Sequence, residues 1–331
     1  MGDVRSGTGP WQVFLCAAPL AVGLLLLQLF GPWAAPKGSL AGLTVPVSGF
    51  LPGLLTFTAV VTAHVFACLA AIMMALDLLR ATPRSRPFAR NGLILAVAVS
   101  AILVAALVLM PSNAGELTFG GFKAFFADVD AADRFTRPLG LRVAPLHLAI
   151  FIPTGLGVVA VAMVAAAANS QLSLFGHIIA TRGARQAARI RQLHGRLKRC
   201  LYSLAVVLVT STVAATLFFH LPARLSAAKD TQAAATLTSM GEFASEISLF
   251  WGLIYTLTLA VAVGLPILLL QNRLRRALEP PFTGPADSPR AQLASAGILS
   301  QGREQVKFLT ALLAPLVAAP LTRVVESAAL F

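Results

Sequence analysis

The sequence predicts an all-α polytopic membrane helix bundle with six transmembrane helices, both termini cytoplasmic and a membrane-associated C-terminal helix. Three observations predict it. The 331-residue chain is 57% hydrophobic and only 12% charged, about half the charge of an ordinary soluble domain, and its mean hydropathy is +0.80. Six apolar stretches fall at 11–30, 50–79, 92–110, 145–168, 201–221 and 248–271, each near or above the ~20 residues that cross a hydrocarbon layer. The basic residues between them fall on alternate sides.

The first stretch is too long for a signal-peptide core and no A-x-A site follows it, so it reads as an anchor. The second exceeds what a bilayer requires, which predicts tilt or projection beyond the headgroups. Residues 32–49, rich in Gly and Pro, read as an outer loop. In the longer outer segment at 111–144, Phe119, Phe122, Phe125 and Phe126 alternate with polar positions. That predicts a short helix at 117–129 on the outer membrane surface. Asp128, Asp130 and Asp133 follow, without the Gly and closing Glu of a calcium loop.

Residues 169–200 contain no Pro, and helix formers dominate 184–199. At 100° per residue, Arg185, Arg189, Arg196 and Arg199 fall within about 80° of one another. Ile190, Leu193 and Leu197 occupy the adjacent face. The pattern predicts an amphipathic basic helix running straight into the fifth stretch. Beyond the sixth, Glu279-Pro280-Pro281-Phe282-Thr283-Gly284-Pro285 stops the helix. Val306, Leu309, Leu313 and Leu316 then recur at helical spacing, interrupted by Pro315 and Pro320. This tail reads as an interfacial helix or a re-entrant segment packed among the others. The chain thus divides into a six-span domain at 1–279, with a cytoplasmic helical extension at 169–200, and a linker and tail at 280–331.

Charge sets the orientation. The connections after the second, fourth and sixth stretches, together with Arg5, hold 19 of the 26 Lys and Arg residues. The other side holds seven basic and seven acidic residues, so the net charge of +13 falls on one face. By the positive-inside rule that face is cytoplasmic, and the expected location is a bacterial inner (plasma) membrane. The same bias accounts for the high pI, so nucleic acid is not the expected partner. The expected partners are anionic lipid headgroups at the cytoplasmic face, and copies of the chain or another membrane subunit. The binding residues for these are Arg185, Arg189, Arg196 and Arg199.

Chemistry-bearing groups are sparse. Of the acids, only Asp77 approaches a span, and it reads as an interfacial partner of Arg80. No nucleophile, metal or nucleotide motif occurs in a suitable setting. Cys16, Cys68 and Cys200 imply no disulfide framework. No cofactor and no metal is expected. His64 and His147 could hold a b-type haem only at matched depth, and they differ by many residues from the outer boundary. A neutral His64 bonded across helices to a Thr fits better. Thr56, Thr62, Thr154 and Thr256 could line a path, and Pro153 and Pro266 could act as hinges.

Three functions therefore stand open. The first is a non-enzymatic membrane component that assembles through its basic cytoplasmic face. The second is a channel or transporter-like facilitator. The third is an intramembrane enzyme or b-type haem protein.

Overall fold

Long apolar runs leave the backbone one way to satisfy its polar groups in lipid, which is the α-helix. The computed structural model describes residues 9–23, 25–26, 43–44, 50–83, 85–109, 145–175, 178, 184–225, 227–228, 231–278 and 303–328. Over these the chain is helical apart from one antiparallel two-residue pairing, β1 (Leu43–Thr44) with β2 (Ala227–Ala228). A 3-10 helix, Pro10–Ala17, precedes seven α-helices. These are α1 (Phe50–Arg80), α2 (Arg86–Leu109), α3 (Pro145–Ser173), α4 (Ala184–Leu225), α5 (Thr231–Leu259), α6 (Leu265–Leu278) and α7 (Arg303–Ala328). The surface helix expected at 117–129, the aspartates after it and the linker at 280–285 lie outside the described residues.

Among the described residues, four helical stretches are long and apolar enough to cross a membrane: Leu55–Arg80, Ile152–Ser173, Ala188–Leu221 and Ala234–Leu274. That makes the chain compatible with an integral membrane protein. The 3-10 helix and α2 occupy the expected first and third stretches. Large apolar side chains point outward from several helices, including Phe66 and Met73 on α1, Ile94 and Val97 on α2, and Leu249 and Leu253 on α5. Such exposure in water would be an aggregation surface, whereas lipid solvates it.

The interior is built on small residues. Ala165, Ala166, Ala167 and Ala168 on α3 are fully buried. A Cβ added at Gly92 of α2 would lie 2.9 Å from the Cβ of Ala166, so the two helices cross at near backbone contact. One large buried cluster joins α1 to α4 and α6, and a second gathers Phe57, Leu217, Phe219, Phe243 and Ile247 where α1, α4 and α5 meet.

Three boundaries differ from the sequence expectation. The sixth helix starts at Thr231, not near 248, because Met240, Phe243, Ala244 and Ile247 bury a helical stripe. It does not continue smoothly either. A π-helical turn, Ala260–Gly264, separates α5 from α6, and the N–H of Leu265 bonds the carbonyl oxygen of Ala260. Pro266 explains the wide turn: it has no N–H to give, and its ring crowds the carbonyl four residues back. The tail is one helix through Pro315 and Pro320. It lies against α4 and α5, as a segment packed among the others would.

Candidate functional site

The basic residues gather at one end of the bundle, where α1 turns into α2 and where α3 ends beside the first half of α4. α4 runs unbroken for 42 residues, roughly 63 Å at 1.5 Å per residue. Its amphipathic start faces two ways. Ile190, Leu193 and Leu197 are buried in the same cluster as Leu172 of α3, Phe175 just beyond it, and Leu270 and Leu274 of α6. Arg189, Arg191 and Arg199 are exposed. The apolar face is thus filled by protein, and the charged face is presented outward.

The four arginines of the predicted stripe do not behave alike. Arg189 and Arg199 are exposed, and Arg196 is half-buried. The Nη1 of Arg196 donates to the Oε1 of Gln171 at 3.3 Å. Gln171 is fully buried, and its Nε2 donates to the Oγ1 of Thr82 and, at 3.4 Å, to the carbonyl oxygen of Leu78. Thr82 in turn donates to Leu78 at 2.6 Å. This chain of hydrogen bonds ties α4, α3 and the end of α1 together. Arg185 lies on α4, with its side chain outside the described residues.

The turn between α1 and α2 is ordered by its own bonds. The N–H of Ala81 reaches Asp77, that of Thr82 reaches Leu79, and that of Ser85 reaches Thr82. Asp77 forms no ion pair with Arg80, contrary to the pairing expected from their spacing. Asp77 is exposed there, where water screens such a pair to little net worth.

His64 forms a second polar node, deep between helices. It is 2% exposed. Its Nδ1 lies 2.9 Å from the Oγ1 of Thr210 on α4, and its Nε2 lies 3.3 Å from the carbonyl oxygen of Pro153 on α3. A carbonyl can only accept, so Nε2 carries the hydrogen, and the Thr210 hydroxyl is shared between Nδ1 and the carbonyl oxygens of Val206 and Val207, each also 2.9 Å away. The ring packs against α3 at Gly157, where a Cβ would touch Nε2 at 3.4 Å, an ordinary van der Waals contact. The Sγ of Cys68 sits 3.5 Å from Nε2. With both nitrogens engaged, the ring is held as an interhelical strut.

His147 lies on α3, about ten residues before Gly157. That places it roughly 15 Å along the helix axis from the level of His64, and its side chain lies outside the described residues. Thr56, Thr62 and Thr154 are exposed while Thr256 is buried, so the four do not face one interior path. Thr62 spends its hydroxyl on the carbonyl oxygen of Thr58, at 2.8 Å. Pro153 and Pro266 are both buried. Pro153 offers its carbonyl to His64, and Pro266 follows the π-helical turn. Among the described residues no group of three or more His, Cys, Asp or Glu could hold a metal ion.

Gln171, Thr82 and Thr210 carry the polar ties, and the sequence did not single them out. The one available signal was the polar run Asn169-Ser170-Gln171 directly after four alanines. The fold and site together define a helical bundle of membrane-crossing character with one basic end braced by a buried amide. No family model, no curated protein and no solved structure matches the chain.

Proposed function

We propose that this chain is a non-enzymatic integral membrane component that docks an acidic protein segment on the outward face of α4. In this reading it threads a bacterial inner membrane six times, with both termini and the basic end in the cytoplasm. The observation that carries the reading is the division of α4, with its apolar face buried in its own bundle and Arg189, Arg191 and Arg199 left outward.

Depth favours a protein partner over lipid for this face. If 201–221 spans the hydrocarbon layer, Arg189 sits about 18 Å beyond its edge. The headgroup layer takes up only about 5–7 Å of that. The remainder exceeds the ~8 Å screening length of physiological salt, so headgroups attract Arg189 weakly. The channel reading draws less support because three of its four threonines face outward. The haem reading draws less because both nitrogens of His64 are engaged.

The test uses the full chain in neutral nanodiscs and a fluorescent oligoglutamate peptide as the acidic probe. Arg189→Gln with Arg199→Gln should weaken binding at least about tenfold at low salt, and high salt should erase the difference. Binding that is unchanged in the variant rejects the reading. A cysteine at Gly183 that reacts with an impermeant reagent on intact cells reverses the orientation and rejects it as well.

A further inference from the structure

A cavity of about 600 Å³ opens at the α1–α2 turn, within the range of small-molecule sites. Two cations and an apolar wall line it: Arg80 and Arg86, with Leu76 and Leu79 from α1 and Pro87 and Ala89 from α2. Neither guanidinium has a carboxylate partner among the described residues. We infer that this cavity binds one anionic phospholipid, its phosphate on Arg80 and Arg86 and the start of its acyl chains along Leu76, Leu79 and Ala89.

Three features argue for that occupant. The first is charge: two unpaired guanidinium groups make charge-assisted, fork-like bonds to a phosphate. The second is depth. The apolar length of α1 ends at Arg80, so with its extra length taken up by tilt the cavity lies where the chain leaves the hydrocarbon layer, at the level of lipid phosphates. The third is rigidity. Thr82, on the cavity wall, is held by Gln171, and Gln171 by Arg196. Ser85, also on the wall, is fixed by a bond to the carbonyl oxygen of Leu79. A wall braced in this way loses little entropy when a ligand arrives. The inference goes beyond the docking reading, since it uses different residues and a different ligand. It needs only that the chain lies in a membrane.

The experiment is native mass spectrometry of the delipidated full chain in neutral detergent. Three probes are added separately: dioleoyl phosphatidylglycerol, dioleoyl phosphatidylcholine and glycerol 3-phosphate. One phosphatidylglycerol per chain should be retained at concentrations at least about tenfold below those needed for phosphatidylcholine. Arg80→Gln with Arg86→Gln should remove that preference, Arg80→Lys with Arg86→Lys should keep part of it, and Arg189→Gln with Arg199→Gln should leave it intact. Equal retention of the two lipids overturns the inference, as does an unchanged preference in the Arg80/Arg86 glutamine pair. Glycerol 3-phosphate binding as well as the lipid also overturns it, because the site would then take a free phosphate. A photoreactive phosphatidylglycerol gives a reading on the wild-type chain that no misfolded variant can blur. Labelling within residues 76–89 supports the site, and labelling confined to other segments overturns it.

Discussion

A Cβ built on Gly252 would lie 3.0 Å from the carbonyl oxygen of Pro315 and 3.3 Å from the Cα of Leu316. α5 and α7 therefore touch backbone to backbone, and any side chain at position 252 beyond hydrogen would force the tail backbone to give way. Gly252→Leu should push the tail helix off the bundle at a cost of about 1–3 kcal/mol, the usual range for overpacking. Limited proteolysis in detergent should then release residues 303–328 earlier than in wild type. An unchanged cleavage rate would show that the contact does not hold the tail.

The His64–Thr210 pair makes a separate prediction. Thr210→Val keeps the shape and leaves Nδ1 of His64 without its partner. Interhelical hydrogen bonds of this kind contribute about 0.6–2 kcal/mol in membranes. A double-mutant cycle with His64→Ala, followed by unfolding in mixed micelles, should return a coupling of that size. A coupling indistinguishable from zero would mean the two residues act independently.

Gln171 gives the third. Gln171→Leu removes the acceptor for Arg196 and the donor for Thr82 in one step, and should lower stability by roughly 1–3 kcal/mol. Gln171→Glu keeps an acceptor for Arg196 but loses the Nε2 donations to Thr82 and to the carbonyl oxygen of Leu78, so its melting temperature should fall between those of wild type and Gln171→Leu. Equal melting temperatures for all three proteins would leave the network without energetic weight.

Much of the architecture was legible because apolar length and charge placement are properties of single stretches. The long helices over 50–79, 145–168 and 201–221 follow from composition, and the run of α4 from 184 into its apolar stretch from the absence of Pro before residue 222. The early start of α5 was hidden by polar residues such as Glu242 and Glu246, which read as an outer loop. Yet Met240, Phe243, Ala244 and Ile247 follow the i, i+3, i+4, i+7 helical pattern. Pro315 and Pro320 suggested a broken tail, because a lone sequence does not show that a neighbouring helix supports the run. The Arg stripe was visible, but the departure of Arg196 from it was not. Its partner Gln171 lies 25 residues away, and Thr82 a further 89, and no local period encodes such meetings.

The closing of the Gly252 side by a helix that follows it in the chain has a biosynthetic consequence. Gly264 faces the same helix, its Cβ position 3.5 Å from a methyl of Leu312. Until residues 303–328 have been made, the groove along Gly252 and Gly264 has no α7 to fill it. A stalled or shortened nascent chain would carry the groove permanently open, a mark by which membrane proteases could distinguish it from the finished product.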